Sequence, residues 1–132
     1  MTEPTGVQTL PQAVQRYFDL MYDADVSTFD RVFYPTAQLH GLGDGKMRLL
    51  TAQAYREVLA STPSPKSMRA NREEAILLLD FTSPDQALAK VRVRINTIVY
   101  VDYLNYHRVD GEWLVSAKSF HVESNAAAAA GR

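Results

Sequence analysis

The chemistry of this chain is expected to centre on Asp102, an acidic residue predicted to lie on an apolar strand face. Alternate residues of a strand point the same way, so Tyr100 and Leu104 share the face of Asp102. A carboxylate among apolar neighbours has its charged form disfavoured unless donors solvate it. Asp102 could therefore act as a general base or anchor an N–H group of a ligand. The alternative is a structural role, in which neighbouring strands satisfy the carboxylate.

A hairpin signal brings a second strand against Asp102. The Asp-Gly pair at residues 110–111 is typical of a two-residue β-turn. Uninterrupted pairing from this turn places Asp102 opposite Ser119 and Tyr100 opposite His121. This register makes Asp102 and His121 the catalytic candidates, and it adds Ser119 as a ligand-binding hydroxyl.

The opposite face of the same hairpin is mixed in character and too aromatic for simple exposure to solvent. It is predicted to form a homodimer contact. The residues assigned to this face are Val101, Tyr103, His107, Lys118 and Phe120. His40 lies in an earlier predicted strand, and its direction stays open.

The first half of the chain is predicted to contain three helices and one β-hairpin, whose strands are residues 36–42 and 46–50. Thr9 begins a capping box, and apolar residues at helical spacing then predict a helix over residues 10–23 with Tyr17 on its apolar face. A short helix is predicted near residue 27, and Thr51 is expected to cap a third. Together these helices should cover a sheet, and Tyr17 is a candidate ligand contact.

In the second half of the chain the pattern changes to that of strands. Residues 87–95 alternate between apolar residues and the cations Lys90, Arg92 and Arg94. Such alternation is typical of a strand with one buried face, which leaves the cations in solvent. A tight turn at residues 96–97 would join it to the hairpin. The order of elements predicts an α+β fold, with helices followed by an antiparallel sheet.

Length and composition narrow the function classes. The chain has 132 residues, 14 Lys and Arg, 15 Asp and Glu, a net charge of −1 and no cysteine. These values predict one domain at residues 10–124, with flexible ends at residues 1–9 and 125–132. Near-neutral charge argues against a nucleic-acid partner, and the absence of cysteine excludes thiol chemistry.

No histidine pair has the spacing of a metal site, so no metal is predicted, and no cofactor is predicted either. The sequence has no apolar run long enough to span a bilayer, so no membrane partner is expected. It also lacks the pattern of a signal peptide, so a cytoplasmic location is expected.

Four segments of the sequence form a characteristic combination: YFDLMYDAD at 17–25, FYPTAQLHGL at 33–42, VDYL at 101–104 and VDGEWLVSAKSFH at 109–121. They supply a helix rich in Tyr and Phe, a strand after a turn, an acidic-aromatic-Leu strand and a DGxW hairpin. Together they resemble the nuclear transport factor 2-like superfamily, and more narrowly its putative lumazine-binding branch. Tyr34 stands where the branch usually has His, and Val101 stands where it commonly has Thr.

The resemblance implies a cone in which N-terminal helices pack on a curved antiparallel sheet, with a pocket between them and a homodimer formed by the outer sheet surface. A pterin- or flavin-like ligand is one implication. Three functions stay open: a small-molecule-binding domain, an isomerase, cyclase or dehydratase using Asp102 as its general base, and a non-catalytic dimeric interaction module. The predicted ligand-binding residues are Tyr17, Tyr100, Asp102, Leu104, Ser119 and His121.

Overall fold

The computed structural model describes residues 8–126, beginning just before helix α1 (Leu10–Asp23). The predicted capping box is present. Thr9 Oγ1 accepts a hydrogen bond from Gln12 N at 3.3 Å, and Gln12 Oε1 accepts one from Thr9 N at 2.9 Å. Both orphan donors at the helix start are thereby satisfied. The first predicted helix is confirmed over its whole length.

In the first half of the chain a β-hairpin separates the second helix from the third, as predicted, and the elements from residue 74 onward are strands. A short 3₁₀ helix (Val26–Arg31) is capped by Asp25, and Thr51 caps α2 (Ala52–Ser61) through a hydrogen bond to Ala54 N. Within the described residues the strands are β1 (Phe33–Gly43), β2 (Lys46–Thr51), β3 (Glu74–Ser83), β4 (Gln86–Ile95), β5 (Ile98–Val109) and β6 (Glu112–Asn125). The predicted α+β class is confirmed.

The six strands form one curved sheet in the order β2-β1-β6-β5-β4-β3. Neighbouring strands are antiparallel except for β1 and β6, which are parallel. We call the side covered by α1 and α2 the concave face, and the opposite side the outer face. The hydrophobic core fills the space between these helices and the concave face, with Tyr17, Phe33, Leu39, Leu104, Trp113 and Val115 among its members.

The two predicted tight turns are confirmed. Ile95 pairs with Ile98 around residues 96–97, and Val109 pairs with Glu112 around residues 110–111. The second turn needs two residues in the left-handed region, and its Asp and Gly have φ values of 51° and 80°. This conformation matches the right-handed twist of the flanking strands.

A β-bulge interrupts the predicted pairing of β5 with β6. Tyr106 pairs with Val115, but the next residue, Asn105, pairs with Ala117, so that Ser116 is an extra residue on β6. Because side chains alternate along a strand, a slip of one residue moves all later side chains to the other face. The C-terminal half of β6 is therefore inverted relative to the uninterrupted register.

The predicted faces of four β6 residues are consequently wrong. Lys118 is only 5 % exposed and lies on the concave face, and Phe120 packs against the core there. The uninterrupted register predicts the outer face for both. It predicts the pocket for Ser119 and His121, which are exposed on the outer face. Asp102 accordingly pairs with Phe120 rather than with Ser119.

The outer face carries one continuous row of cross-strand partners. From β3 to β2 the row consists of Leu78, Lys90, Tyr103, Ser119, His40 and Leu49. The direction of His40, which the sequence left open, is thus outward. Lys90 Nζ lies 5.6 Å from the ring centroid of Tyr103, so the middle of this row combines an aromatic ring with a cation.

The predicted flexible ends, residues 1–9 and 125–132, lie mostly outside the described residues. At the described margins, Gln8 is buried and its Oε1 accepts a hydrogen bond from Trp113 N at 3.0 Å, and Ala126 N donates to Thr97 O at 2.9 Å. Between residues 8 and 126, no helix has the length and apolar character to cross a membrane. The same residues contain no cluster of three or more His, Asp or Glu side chains suited to a metal ion.

Candidate functional site

A buried charged cluster lies on the concave face beneath the helices. Asp102 of β5 is 1 % exposed, and its Oδ2 lies 3.8 Å from Nζ of Lys118. Tyr17 of α1 donates its hydroxyl to the same oxygen at 2.6 Å. Buried charges are tolerated when they are paired and hydrogen-bonded. The cluster therefore ties the first helix to two central strands.

Lys118 is held between two aromatic rings. Its Nζ lies 5.1 Å from the ring centroid of Tyr17 and 4.8 Å from that of Tyr55 on α2. Nζ also donates a hydrogen bond to the Tyr55 hydroxyl oxygen at 3.4 Å, and that hydroxyl donates to Met21 Sδ at 3.1 Å. Burial opposes the ammonium charge, but Tyr55 and Asp102 outweigh it and hold the pKa of Lys118 above its ordinary value. Lys118 is thus a buried cation at neutral pH.

Tyr17 and Tyr100, which lie near this cation, are uncharged phenols at neutral pH. Burial and the Asp102 charge raise the pKa of Tyr17 well above its ordinary value. Burial likewise raises the pKa of Tyr100. Both phenols keep their protons at neutral pH, so that Tyr17 can serve Asp102 as a hydrogen-bond donor.

A cavity of about 130 Å³ opens beside Lys118, between α2 and the concave face. Its wall is mainly apolar, and two tyrosines and two cations supply the polar groups. The lining residues are Leu39, Arg48, Leu50, Tyr55, Val58, Ile95, Tyr100, Lys118 and Phe120. None of these nine residues is acidic. Few polar groups in an apolar wall are characteristic of small-molecule sites.

A second cavity of about 240 Å³ adjoins the first toward the end of α1. The two share Tyr55, Val58, Ile95 and Tyr100, and the second extends to the loop at residues 62–65. Together they reach the lower end of the roughly 300–1,000 Å³ that ligand pockets occupy. The sheet and α2 thus enclose a slot with space on both sides of the shared residues.

Gly41 allows Phe120 to form one wall of the first cavity. These residues are cross-strand partners on β1 and β6, and a Cβ added to Gly41 would overlap the Phe120 ring. A glycine at this position therefore leaves the ring room to lie flat against β1. With any larger residue, the ring must move toward the cavity.

Replacing Gly41 with alanine is expected to destabilise the fold by about 1–3 kcal/mol, as overpacked cores are. The displaced Phe120 ring should also reduce the cavity volume. Urea denaturation and a crystal structure of the variant would measure both effects. Gly43→Ala is the matched control, because the nearest atom to its added Cβ is Arg48 Cδ at 3.7 Å. Equal stability of the two variants would contradict the role assigned to Gly41.

The chain is similar to known proteins over most of its length. The family described as putative lumazine-binding matches residues 6–121, which is most of the sequence. The chain belongs to this family. The resemblance inferred from its sequence segments is thereby confirmed. A comparison with curated proteins finds no match.

Solved structures place this putative lumazine-binding family member in the nuclear transport factor 2-like fold. A nuclear transport factor 2-like protein of unknown function from Shewanella baltica aligns with a TM-score of 0.75 and 21 % identity, covering 89 % of this chain and 99 % of that one. One from Silicibacter pomeroyi gives 0.73 and 19 %, covering 86 % and 92 %. A ketosteroid isomerase-like protein from Erwinia carotovora atroseptica gives 0.68 and 14 %, covering 92 % and 99 %. At these identities the likeness shows the fold.

In this family member, the six predicted ligand-binding residues occupy three environments. Tyr100 lines both cavities. Tyr17 and Asp102 contact Lys118 on its side away from the cavities. Leu104 is a core residue and the cross-strand partner of Lys118. The other two predicted residues lie on the outer face, as described above. The concave face therefore brings together four of the six.

Tyr100 is the one residue of the nine in the first cavity's lining that the sequence predicted as a ligand contact. The polar residues among the eight that it missed are Lys118, Arg48 and Tyr55. A partial signal for the first was available. Trp113 and Val115 lie at odd positions of β6, whereas Phe120 and Val122 lie at even positions, and Leu114 departs from this pattern. Such a change of phase is typical of a β-bulge. No comparable signal marks the other two, which reach the cavity only through packing between distant segments.

Proposed function

We propose that this protein binds a small, flat organic molecule in the two adjoining cavities beside Lys118. The observation that carries the proposal is an apolar slot with a buried cation in its wall. Apolar walls supply most of the binding free energy of such a ligand, and a few fixed polar groups orient it. A pterin- or flavin-like ring is the specific form that the family description favours.

The shape of the slot supports a flat ligand. Tyr55 and Val58 of α2 face Ile95 and Tyr100 of the sheet across both cavities. The ring of Phe120 stands edge-on to that of Tyr100, with centroids 6.4 Å apart and planes at 76°. A planar aromatic molecule can stack on one such ring while its edge meets another.

Acid–base catalysis by the predicted pair is not supported, because Asp102 and His121 lie on opposite faces of the sheet. A general base must come within about 2.6–3.2 Å of the atom that it deprotonates, directly or through one water. Asp102 lies outside the lining of both cavities, and its Oδ2 is engaged by Tyr17 and Lys118. The carboxylate is therefore better suited to hold Lys118 in place than to meet a substrate.

A thermal-shift screen of the full chain with pterins, flavins and polycyclic ketones tests the proposal. A ligand at 100 times its dissociation constant should stabilise the protein by about 2.7 kcal/mol. Val58→Trp should remove this shift, because Val58 lines both cavities and is 41 % exposed, which leaves space for the larger side chain. Val109→Trp, at a site 37 % exposed on the β5–β6 hairpin, is the matched control. A shift that survives Val58→Trp would place the ligand elsewhere.

We also propose that two copies of the chain associate through the outer face. Tyr103 is 45 % exposed and Leu78 is 49 % exposed in the row that crosses this face. Val101 and His107 share this face, as predicted. On β6 the bulge turns Ser119 and His121 to the outer face, in place of the predicted Lys118 and Phe120. Exposed aromatic and aliphatic side chains among polar ones are typical of subunit interfaces.

Tyr103→Asp is expected to convert the dimer to a monomer, because it places a charge at the centre of the proposed contact. Sedimentation velocity at micromolar to high-micromolar concentration would measure the change. Met68→Asp is the control, since Met68 is 62 % exposed and lies outside the sheet. A wild-type protein that sediments as a monomer at high micromolar concentration would overturn the proposal.

A further inference from the structure

We infer that the ligand of the Lys118 cavity is a planar organic acid whose anionic group contacts Lys118 and Arg48. This inference rests on the proposed binding function and assigns the ligand a chemical class. It depends on three features of the cavity: the charges in its lining, the unused donors of Lys118 and the position of Arg48.

The lining of the cavity carries an excess of positive charge. Lys118 and Arg48 are its two ionic residues, and neither an Asp nor a Glu is among the other seven. Asp102 lies behind Lys118 at 3.8 Å and balances one of the two charges. A bound anion would balance the other. In a partly desolvated slot this attraction is stronger than it would be in bulk water.

The ammonium of Lys118 has donor capacity that the described residues leave unused. An ammonium has three N–H donors. Within residues 8–126, Nζ donates one hydrogen bond, to Tyr55, and the Asp102 oxygen at 3.8 Å is beyond hydrogen-bond length. Buried polar groups normally have partners. Because Lys118 is 5 % exposed and lines the cavity, an oxyanion of a ligand can accept from the remaining donors.

Arg48 is placed to contact the same anion or the ring that bears it. It is the cross-strand partner of Gly41, which in turn pairs with Phe120, so the three form one row across β2, β1 and β6. The Phe120 ring lies over Gly41, in the middle of this row. Within residues 8–126, Arg48 forms no ion pair that would occupy its guanidinium. A planar guanidinium can bind a carboxylate through two parallel hydrogen bonds.

A cationic or purely neutral ligand would use these groups poorly. An ammonium group would meet two positive charges and no acid in the lining. A neutral carbonyl could accept one hydrogen bond but would leave the excess charge unbalanced. Specificity for an acid over its neutral isostere would thus come from repulsion of cations as well as from attraction of the anion.

The test compares two probes of nearly identical shape, naphthoate and naphthamide, for binding to the full-length protein by isothermal titration calorimetry at neutral pH. We expect naphthoate to bind at least about tenfold more tightly, as a charge-assisted hydrogen bond allows. Equal affinity would overturn the inference while leaving the proposed binding function intact. If neither probe binds, the inference is also overturned. The proposed binding function would fail as well only if the thermal-shift screen of pterins, flavins and ketones is negative too.

A variant that should fold normally supports the assignment of residues. Arg48→Gln, at an exposed position, should lower naphthoate affinity by about tenfold and leave naphthamide affinity unchanged. Lys46→Gln is the control, because it removes the same charge from the same strand at a residue outside the cavity lining. A similar loss in both variants would show a general effect of surface charge and would overturn the role given to Arg48.

Discussion

Deletion of Ser116 is expected to destabilise the protein by more than about 4 kcal/mol and to eliminate the cavity. Without the extra residue, β6 would pair with β5 in an uninterrupted register, which turns Lys118 and Phe120 to the outer face. Asp102 would then keep its burial and lose its cation, a change that typically destabilises by about 3–5 kcal/mol. Exposure of the half-buried Phe120 ring would add a further loss, smaller than the roughly 1.5–3 kcal/mol of a fully buried side chain.

Urea denaturation at pH 7 would measure this effect, with Ser116→Ala as the control of unchanged length. The hydroxyl of Ser116 lies 2.6 Å from His107 Nδ1 and donates to Asn105 O at 3.2 Å. Its removal should lower the free energy of unfolding by about 0.5–1.5 kcal/mol. If the deletion variant were as stable as Ser116→Ala, the bulge could not be what orients the second half of β6.

Asp102→Ala is expected to destabilise the protein by about 3–5 kcal/mol. Lys118 would remain as a buried cation without a counter-charge, and Tyr17 would lose its hydrogen-bond acceptor. The Oδ1 atom of Asp102 has no hydrogen-bond partner among the described residues. The polar interactions that the substitution removes are therefore mainly those of Oδ2 with Lys118 and Tyr17. The carboxylate thus contributes mainly by balancing the buried cation.

A double-mutant cycle would isolate that contribution. Asp102→Asn with Lys118→Met removes both charges at nearly constant volume, and we expect it to be more stable than the sum of the two single changes predicts, by at least about 1 kcal/mol. Denaturant unfolding of all four proteins at pH 7 measures the coupling. Single effects that add to within about 0.5 kcal/mol would mean that the two groups do not interact appreciably.

The parts of the fold that could be predicted are those with local signals. The capping box at Thr9 begins α1, and the Asp-Gly turn at residues 110–111 joins β5 to β6, as the sequence indicates. Each depends on contacts between residues a few positions apart, whose geometry is the same in most proteins. The parallel pairing of β1 with β6 has no such signal, because it joins segments at opposite ends of the chain.

The site was predicted less well than the fold because its residues come from distant elements. Tyr100 was found from the alternation of β5, which extends regularly into the cavity wall. Extending the same regularity to β6 produced the error at Lys118, since the extra residue at Ser116 changes the face of the residues after it, as far as a second register shift beyond Val122. Arg48 reaches the cavity through the pairing of β2 with β1 and of β1 with β6, which no local spacing encodes.

The bulge at Ser116 also affects how sequence alignments of this family should be interpreted. A relative without the extra residue could have identical amino acids at the positions aligned with 118–121. It would nevertheless turn the counterparts of Ser119 and His121, and not those of Lys118 and Phe120, toward its cavity. Identity at these aligned positions would then transfer a role only between chains that share the bulge. A gap of one residue near position 116 would therefore mark a change of ligand chemistry more reliably than several substitutions in the cavity wall.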